Sequence, residues 1–373
     1  MKNENGPCFR VRFNKIGLSK ERPCGMTKRL LLIVVFLLAV CSLFSCSSEA
    51  RAREGEISVH FLDVGQSDCA FIELFGKYTV LVDSSDAEHS DDVCEYIRKL
   101  GYERIDVMVI SHVHSDHAGG AAAVMNEFAV GKVYLSEPEY PSDEYDAIIS
   151  RASAGNVVIS SVVCGDSFTF GEAECTFLSD PQKRFENEND RSTVMRLRYG
   201  KRAFLFMGDC ESDAENALIK GSAEVRADVV KVGHHGSNNS STADFIRKTG
   251  AEVAVISCSR DNEYGHPSPY VLDRWRSAGA DVFVTGRHSI VNVTTDGNEL
   301  FVSSANDTLP YASYSETSGK SKSKWILNTE SHTIHKKNCV YAKKISDENK
   351  EYSSADIERL EAEGYVCCKN CFS

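Results

Sequence analysis

Three histidines and an aspartate fall within residues 112–117: His112, His114, Asp116 and His117, inside Ser111-His112-Val113-His114-Ser115-Asp116-His117-Ala118-Gly119-Gly120. The His-x-His alternation lets both imidazoles reach one metal ion, while Asp116 and His117 turn towards a second position beside it. Imidazole suits zinc, iron or manganese, and a carboxylate hardens the site. An apolar run, 105–110, leads in, and a small-residue stretch, 119–128, leads out. A buried strand thus ends in a polar loop that opens a helix, an order that makes the pattern specific. Two adjacent cations would lower the pKa of a bridging water and neutralise charge on an oxygen under attack. No Ser-His-Asp or phosphate-loop pattern competes.

The other residues able to take part sit where apolar segments stop. Asp63 follows 57–62, Asp83 follows 78–82, Asp209 follows 203–207, and His234-His235 follow 227–232. Alternation and turn residues predict strands over 57–64, 69–74, 78–82, 105–110, 132–135, 157–163, 166–170, 173–178, 193–199, 203–207, 227–232, 253–257 and 281–285, with a hairpin at 289–294. Helices are expected over 91–100, 119–128, 143–152, 211–219, 242–249 and from His266-Pro267-Ser268-Pro269 to about 277. Helices alternate with strands, yet hairpins recur. That mixture fits two mixed sheets packed face to face with helices outside, a four-layer αββα sandwich of the α/β (α+β) class. Its rim can gather strand ends from distant sequence.

The chain has 373 residues and a net charge of −12, with +6 over residues 1–45 and −18 beyond them. An acidic body argues against broad nucleic-acid binding, although metal ions can supply positive charge locally. Residues 30–40 form an apolar run of eleven preceded by Lys28-Arg29. This length fits a signal-peptide core better than a spanning helix. Leu43-Phe44-Ser45-Cys46 resembles a bacterial lipobox, with Cys46 as the lipidated residue. Residues 1–46 thus read as a leader, with Met26 as an alternative start, and the chain is expected to be exported and membrane-attached. An uncleaved N-terminal anchor is the alternative.

Four of the fourteen cysteines lie in the leader and four near the C-terminus. The six between them, Cys69, Cys94, Cys164, Cys175, Cys210 and Cys258, read as small buried hydrophobes. The folded body is expected over 55–302, a Ser/Thr/Lys/Gly-rich linker over 303–324, and a small Cys/His module over 325–373. In that module His335, Cys339, Cys368 and Cys371 have the spacing of a tetrahedral zinc site, and a unit this small usually needs a staple. Zinc and disulfides are both open, and Cys367 makes the assignment of Cys368 ambiguous. Residues 347–363 read as a polar helix too poor in apolar residues to build a core.

Residues 57–300 resemble the metallo-β-lactamase-fold hydrolases, and more narrowly the hydrolase domain of the competence-protein (ComEC-like) branch. The stretches that carry the likeness are 61–68 (Phe-Leu-Asp-Val-Gly-Gln-Ser-Asp), 81–83 (Leu-Val-Asp), the His112 loop, 206–209 (Phe-Met-Gly-Asp), 231–237 (Lys-Val-Gly-His-His-Gly-Ser) and 265–269 (Gly-His-Pro-Ser-Pro). The resemblance implies one metal on His112 and His114, another on Asp116 and His117, and Asp209 bridging the two. The related phosphorylcholine esterases also carry a tandem histidine, which implies that His235 ligates the second metal and His234 faces the phosphate. Asp116 could orient the nucleophile. Asp63 and Asp83 would hold ligand histidines in their tautomers, and His266 would be a second-shell or substrate contact. The third histidine expected after residues 180–192 is absent, where Asn189, Asp190, Arg191 and Ser192 stand instead.

The function these features imply is that of a dinuclear zinc or manganese hydrolase acting on phosphodiesters, a nuclease of DNA uptake or scavenging first. A phosphocholine or other small-molecule esterase or lactonase is the alternative. A non-catalytic DNA- or cell-wall-binding protein is a second.

Overall fold

In a computed structural model the chain is described over residues 52–136, 141–181 and 185–306 and over most of 325–372. The leader with Cys46 and the linker residues 307–324 lie outside the described residues. The first strands are β1 (Ile57–Phe61), β2 (Ala70–Leu74), β3 (Tyr78–Val82), β4 (Arg104–Val109), β5 (Ala129–Tyr134) and β6 (Val158–Ser160). Next come β7 (Ser167–Phe170), β8 (Ala173–Phe177), β9 (Met195–Tyr199), β10 (Arg202–Phe206), β11 (Val229–Lys231), β12 (Val253–Ile256) and β13 (Asp281–Val284). A hairpin of β14 (Val291–Thr295) and β15 (Leu300–Ser304) closes the domain, so β15 extends two residues into the segment read as linker.

Two sheets result, ordered β15-β14-β1-β2-β3-β4-β5-β6 and β13-β12-β11-β10-β9-β8-β7. Each is antiparallel at one end and parallel at the other: β3 to β6 run parallel, as do β10 to β13. Strands β1 and β2 are buried at every residue, the pattern of sheets covered on both faces. Between the sheets lies one apolar layer, in which Ile57, Phe61 and Val109 of the first meet Phe177, Phe204 and Phe206 of the second. The Phe61 and Phe206 rings stack at 6.1 Å. A fully buried phenylalanine contributes about 1.5–3 kcal/mol of transfer free energy, so such pairs bind the halves together.

Helices cover the outer faces. Over the first sheet lie α1 (Ser90–Lys99), the single turn α2 (Ser115–Ala118), α3 (Ala121–Glu127) and α4 (Asp143–Gly155). Over the second lie α5 (Ser212–Lys220), α6 (Ala243–Thr249) and α7 (Pro269–Ser277). In α1, Val93, Tyr96 and Ile97 recur at helical spacing and are buried. Ser268 caps α7, its hydroxyl accepting from the Tyr270 N–H at 3.3 Å. Each helical layer has its own apolar cluster against its sheet. The four-layer αββα arrangement follows. Five of the six scattered cysteines are buried as free thiols; Cys164 is exposed.

Register explains why the rim is a meeting place. Val82 of β3 lies opposite Val109 of β4, and Phe206 of β10 opposite Lys231 of β11. Parallel strands in step deliver their following loops side by side, so Asp83 meets the His112 loop and Asp209 meets His234-His235. At Gly208 the backbone has φ 52° and a Cβ would lie 2.8 Å from that of Ser111. Only glycine lets the Asp209 turn approach the metal loop this closely.

The C-terminal residues form a four-stranded sheet of β16 (Trp325–Asn328), β17 (Thr333–Lys336), β18 (Lys350–Ser353) and β19 (Val366–Cys367), with a short helix α9 (Ile357–Ala362), after a single turn α8 (Thr285–His288) earlier in the chain. The helix expected over 347–363 is shorter: residues 350–353 pair with β16 as a strand, and α9 takes up only Ile357–Ala362. Of that segment only Leu360 is buried, against Leu327 and Ile334, while a second cluster of Ile326, Ala342 and Ile345 draws on residues outside it.

Candidate metal centre

Four side chains converge on one point of the rim. Asp116 Oδ2 and His235 Nε2 are 3.1 Å apart, and His117 Nε2 and Asp209 Oδ1 are also 3.1 Å apart. The pairs His117–Asp116 and His235–Asp209 close at 3.7 and 3.6 Å, and all four ligating atoms lie within 4.8 Å of one another. Ligands bound tetrahedrally at zinc distances would be separated by about 3.4 Å, so the spacing suits a small divalent cation. His117 Nε2 and Asp209 Oδ1 are buried with no hydrogen-bond partner among the described residues. Such orphaned atoms are costly unless something satisfies them, and a cation between them would.

Loop geometry aims the rings. The Asp83 carboxylate accepts from His117 Nδ1 at 2.9 Å, and from the Ser111 N–H and hydroxyl at 2.7 and 2.9 Å. That bond places the proton on Nδ1 and turns Nε2 inward, the arrangement that raises ligand basicity. His235 Nδ1 donates to the Ser257 carbonyl at 3.0 Å, with the same effect. His234 and His235 both have left-handed backbones, φ 48° and 52°, a conformation non-glycine residues hold at some cost where a site demands it. The Asp68 N–H binds the Asp116 carbonyl and the Ser84 N–H the His117 carbonyl, which fastens the loop from beneath.

Where the first metal was expected, His112 Nε2 and His114 Nδ1 face each other at 2.9 Å. The His112 ring lies 4.2 Å from that of His117. Where a third histidine is missing, the segment after residue 185 brings Glu188 within 3.5 Å of His114 and the Ser192 hydroxyl within 3.4 Å of His112 Nδ1. Asp190 turns away and accepts from the N–H groups of Glu211 and Ala214, tying the segment to the start of α5.

The electrostatics fit a cation. Burial would push His235 down, but Asp209 and Asp68 outweigh it and raise it to about 10. His117 is likewise raised, against burial, by Asp209 and Asp83. Burial would raise Asp209, yet His117 and His235 hold it well below the ordinary range. His112 is lowered, first by burial and then by His117, and so stays a neutral ring able to ligate. The carboxylates thus favour positive charge on the two rings, and a cation can supply it in place of the protons.

His234 stands at the edge. Its Nδ1 meets Glu211 Oε1 at 2.6 Å, and its Nε2 lies 3.7 Å from Asp209. His266 is farther out, its ring 5.6 Å from that of His234 and 6.4 Å from that of His235, with Gln66 at 3.4 Å. Burial first, then His234 and His235, push His266 down to about 4. Asp63 is exposed and holds no ligand histidine, contrary to expectation. The acid that does so beside Asp83 is Asp68, with Oδ1 3.3 Å from His235 and Oδ2 2.5 Å from Lys231. A sequence signal for it existed: Lys231 interrupts the apolar run Val229-Val230-Lys231-Val232, and a buried ammonium requires a buried partner.

Two mixed sheets that gather two histidines and two aspartates on one rim, their four ligating atoms within 4.8 Å of one another, define a metal-dependent hydrolase scaffold. The chain belongs to the metallo-beta-lactamase superfamily, whose sequence signature matches residues 62–260. ComE operon protein 3 of Bacillus subtilis (strain 168) is 26% identical over 282 residues, covering 71% of this chain and 34% of that protein. Competence protein ComA of Neisseria gonorrhoeae is 27% identical over 233 residues, covering 62% and 31%. The chain thus spans about a third of the length of these relatives. Among solved structures, the metallo-beta-lactamase fold protein YhfI from Bacillus subtilis aligns with a TM-score of 0.42 at 13% identity over 66% of this chain and 99% of that one. CmlA, a diiron beta-hydroxylase from Streptomyces venezuelae, aligns at 0.43 and 18% identity over 61% and 52%.

Proposed function

We propose that this protein is an exported, membrane-attached phosphodiesterase that uses two divalent ions, zinc or manganese, and acts on DNA. The observation that carries the hydrolytic reading is the Asp116–His117–Asp209–His235 quartet, with separations of 3.1–3.7 Å beside the His112–His114 pair. His112, His114 and Asp209 would hold one ion, and Asp116, His117, Asp209 and His235 the other. Bound there, the ions supply a water of lowered pKa and neutralise charge on the phosphoryl oxygens. The chain's own groups do the rest. Asp116, with a side chain about a third exposed, orients the attacking water. His234, held by Glu211, faces the opening and binds a phosphate oxygen. DNA is favoured as substrate because one relative is named a competence protein. Attachment rests on the apolar run 30–40 and Cys46; among the described residues no helix is long and apolar enough to cross a membrane.

The test offers the purified, manganese- or zinc-loaded chain single-stranded DNA, bis-p-nitrophenyl phosphate, a phosphocholine ester and a lactone. Diester and DNA turnover is expected, falling about 10³-fold or more in Asp209→Ala and persisting in Cys371→Ser. Turnover of the lactone or the phosphocholine ester alone would replace the substrate, and no turnover with metal bound would end the enzymatic reading. In cells, Cys46→Ser should release the protein from membranes; retention would point to an uncleaved anchor.

A further inference from the structure

The C-terminal module gathers a second, chemically different set of ligands. His335 lies in β17, Cys339 in the turn after it, and Cys368 and Cys371 in the turn after β19. Their ligating atoms all lie within 4.8 Å of one another. His335 Nδ1 is 3.4 Å from Cys339 Sγ, and the Lys336 N–H donates to Cys371 Sγ at 3.4 Å. Main-chain bonds set the turns: Cys339 N–H to the Lys336 carbonyl, Cys371 N–H to that of Cys368, and Cys368 N–H to that of Ile334. His335, Cys339 and Cys368 are buried, and every cysteine of the module is a free thiol.

The structure also separates the adjacent cysteines. Strand residues alternate between faces, and β19 pairs with β17 so that Cys367 lies opposite Ile334. Cys367 packs with the Leu327, Ile334 and Leu360 cluster, and its thiol lies 3.9 Å from Glu361. Cys368 falls on the other face, in the cluster that holds Cys339 and Cys371.

We propose that the module binds one zinc ion through His335, Cys339, Cys368 and Cys371, with Cys367 excluded. Three thiolates and an imidazole are soft ligands that select zinc. Four protein ligands leave no open position, so the site is structural rather than hydrolytic. The two small apolar clusters cannot hold a unit of this size unaided, and ligation would supply folding free energy. This inference is independent of the chemistry proposed for the sandwich.

Cobalt(II) distinguishes the two centres, because only thiolate ligation gives intense sulfur-to-cobalt charge-transfer absorption and the sandwich site contains no cysteine. The reduced full-length chain should show this absorption, Cys367→Ser should keep it in full, and Cys368→Ser, one thiolate short, should weaken it. Should Cys368→Ser fail to fold, His335→Cys remains informative: a fourth thiolate should strengthen the band. Absence of the band in the reduced wild-type chain would overturn the proposal. So would a weakened band in Cys367→Ser, an undiminished band in Cys368→Ser, or an unchanged spectrum in His335→Cys.

Discussion

His117 is the most constrained residue of the centre. Its Nδ1 is committed to Asp83 and its Nε2 faces Asp209. Asp83→Asn keeps the shape but removes the charge that fixes this tautomer, and the expected loss is about 10–100-fold in metal affinity. Equal affinity in a metal titration would show that Asp83 does no more than pack. Lys231 makes a different demand, with Asp68 at 2.5 Å and the Val232 carbonyl at 2.9 Å. Lys231→Met leaves a buried carboxylate without its partner and should cost about 3–5 kcal/mol, read as a lowered denaturation midpoint; an unchanged midpoint would mean that Asp68 is neutral. The His112 loop was legible in sequence because its ligands are neighbours in the chain. Asp68 was not legible, because its role appears only when residues 163 positions apart meet, and Asp63, five residues before it at the end of the first strand, is an equal candidate by sequence.

At the scale of elements, the β1–β2 hairpin is joined to α1 by a wholly buried polar bridge. His60 Nε2 donates to Glu73 at 2.9 Å, and His60 Nδ1 meets the Tyr96 hydroxyl at 2.8 Å. Burial would raise Glu73, but the bonds from His60 and Tyr102 outweigh it and hold it below its ordinary range. A carboxylate depressed in this way lends stability that is fully present above its unfolded pKa of about 4.3. That stability is lost as the pH falls through the lower folded value. Glu73→Gln should therefore flatten the acid limb of the stability–pH curve; a limb as steep as in the wild type would show that other groups govern it. Most elements were readable from periodicity, since α1 repeats its apolar residues every three to four positions. Residues 350–353 were misread because their local polarity resembles a helix face, while pairing with β16 makes them a strand.

For the molecule as a whole, the sandwich was legible because hairpins and strand–helix alternation coexist in one acidic chain, and few architectures accommodate both. The pairing order was not, since β14 and β15 return from the far end of the sequence to the edge beside β1. That return closes the first sheet, and the interlocked Phe61 and Phe206 layer keeps the two rim halves in register. One half contributes His112 to His117 and the other Asp209 and His235, so the centre exists only when both sheets are folded and packed.

The central claim is that Asp209 stands between two metal positions in that shared rim. Manganese binding followed by electron paramagnetic resonance tests it directly, because manganese prefers oxygen and imidazole ligands to the thiolates of the C-terminal module. The account predicts two manganese ions per chain with an exchange-coupled spectrum, and loss of that coupling in Asp209→Ala. Saturation at one ion per chain with an isolated-ion spectrum, unchanged in Asp209→Ala, would contradict it.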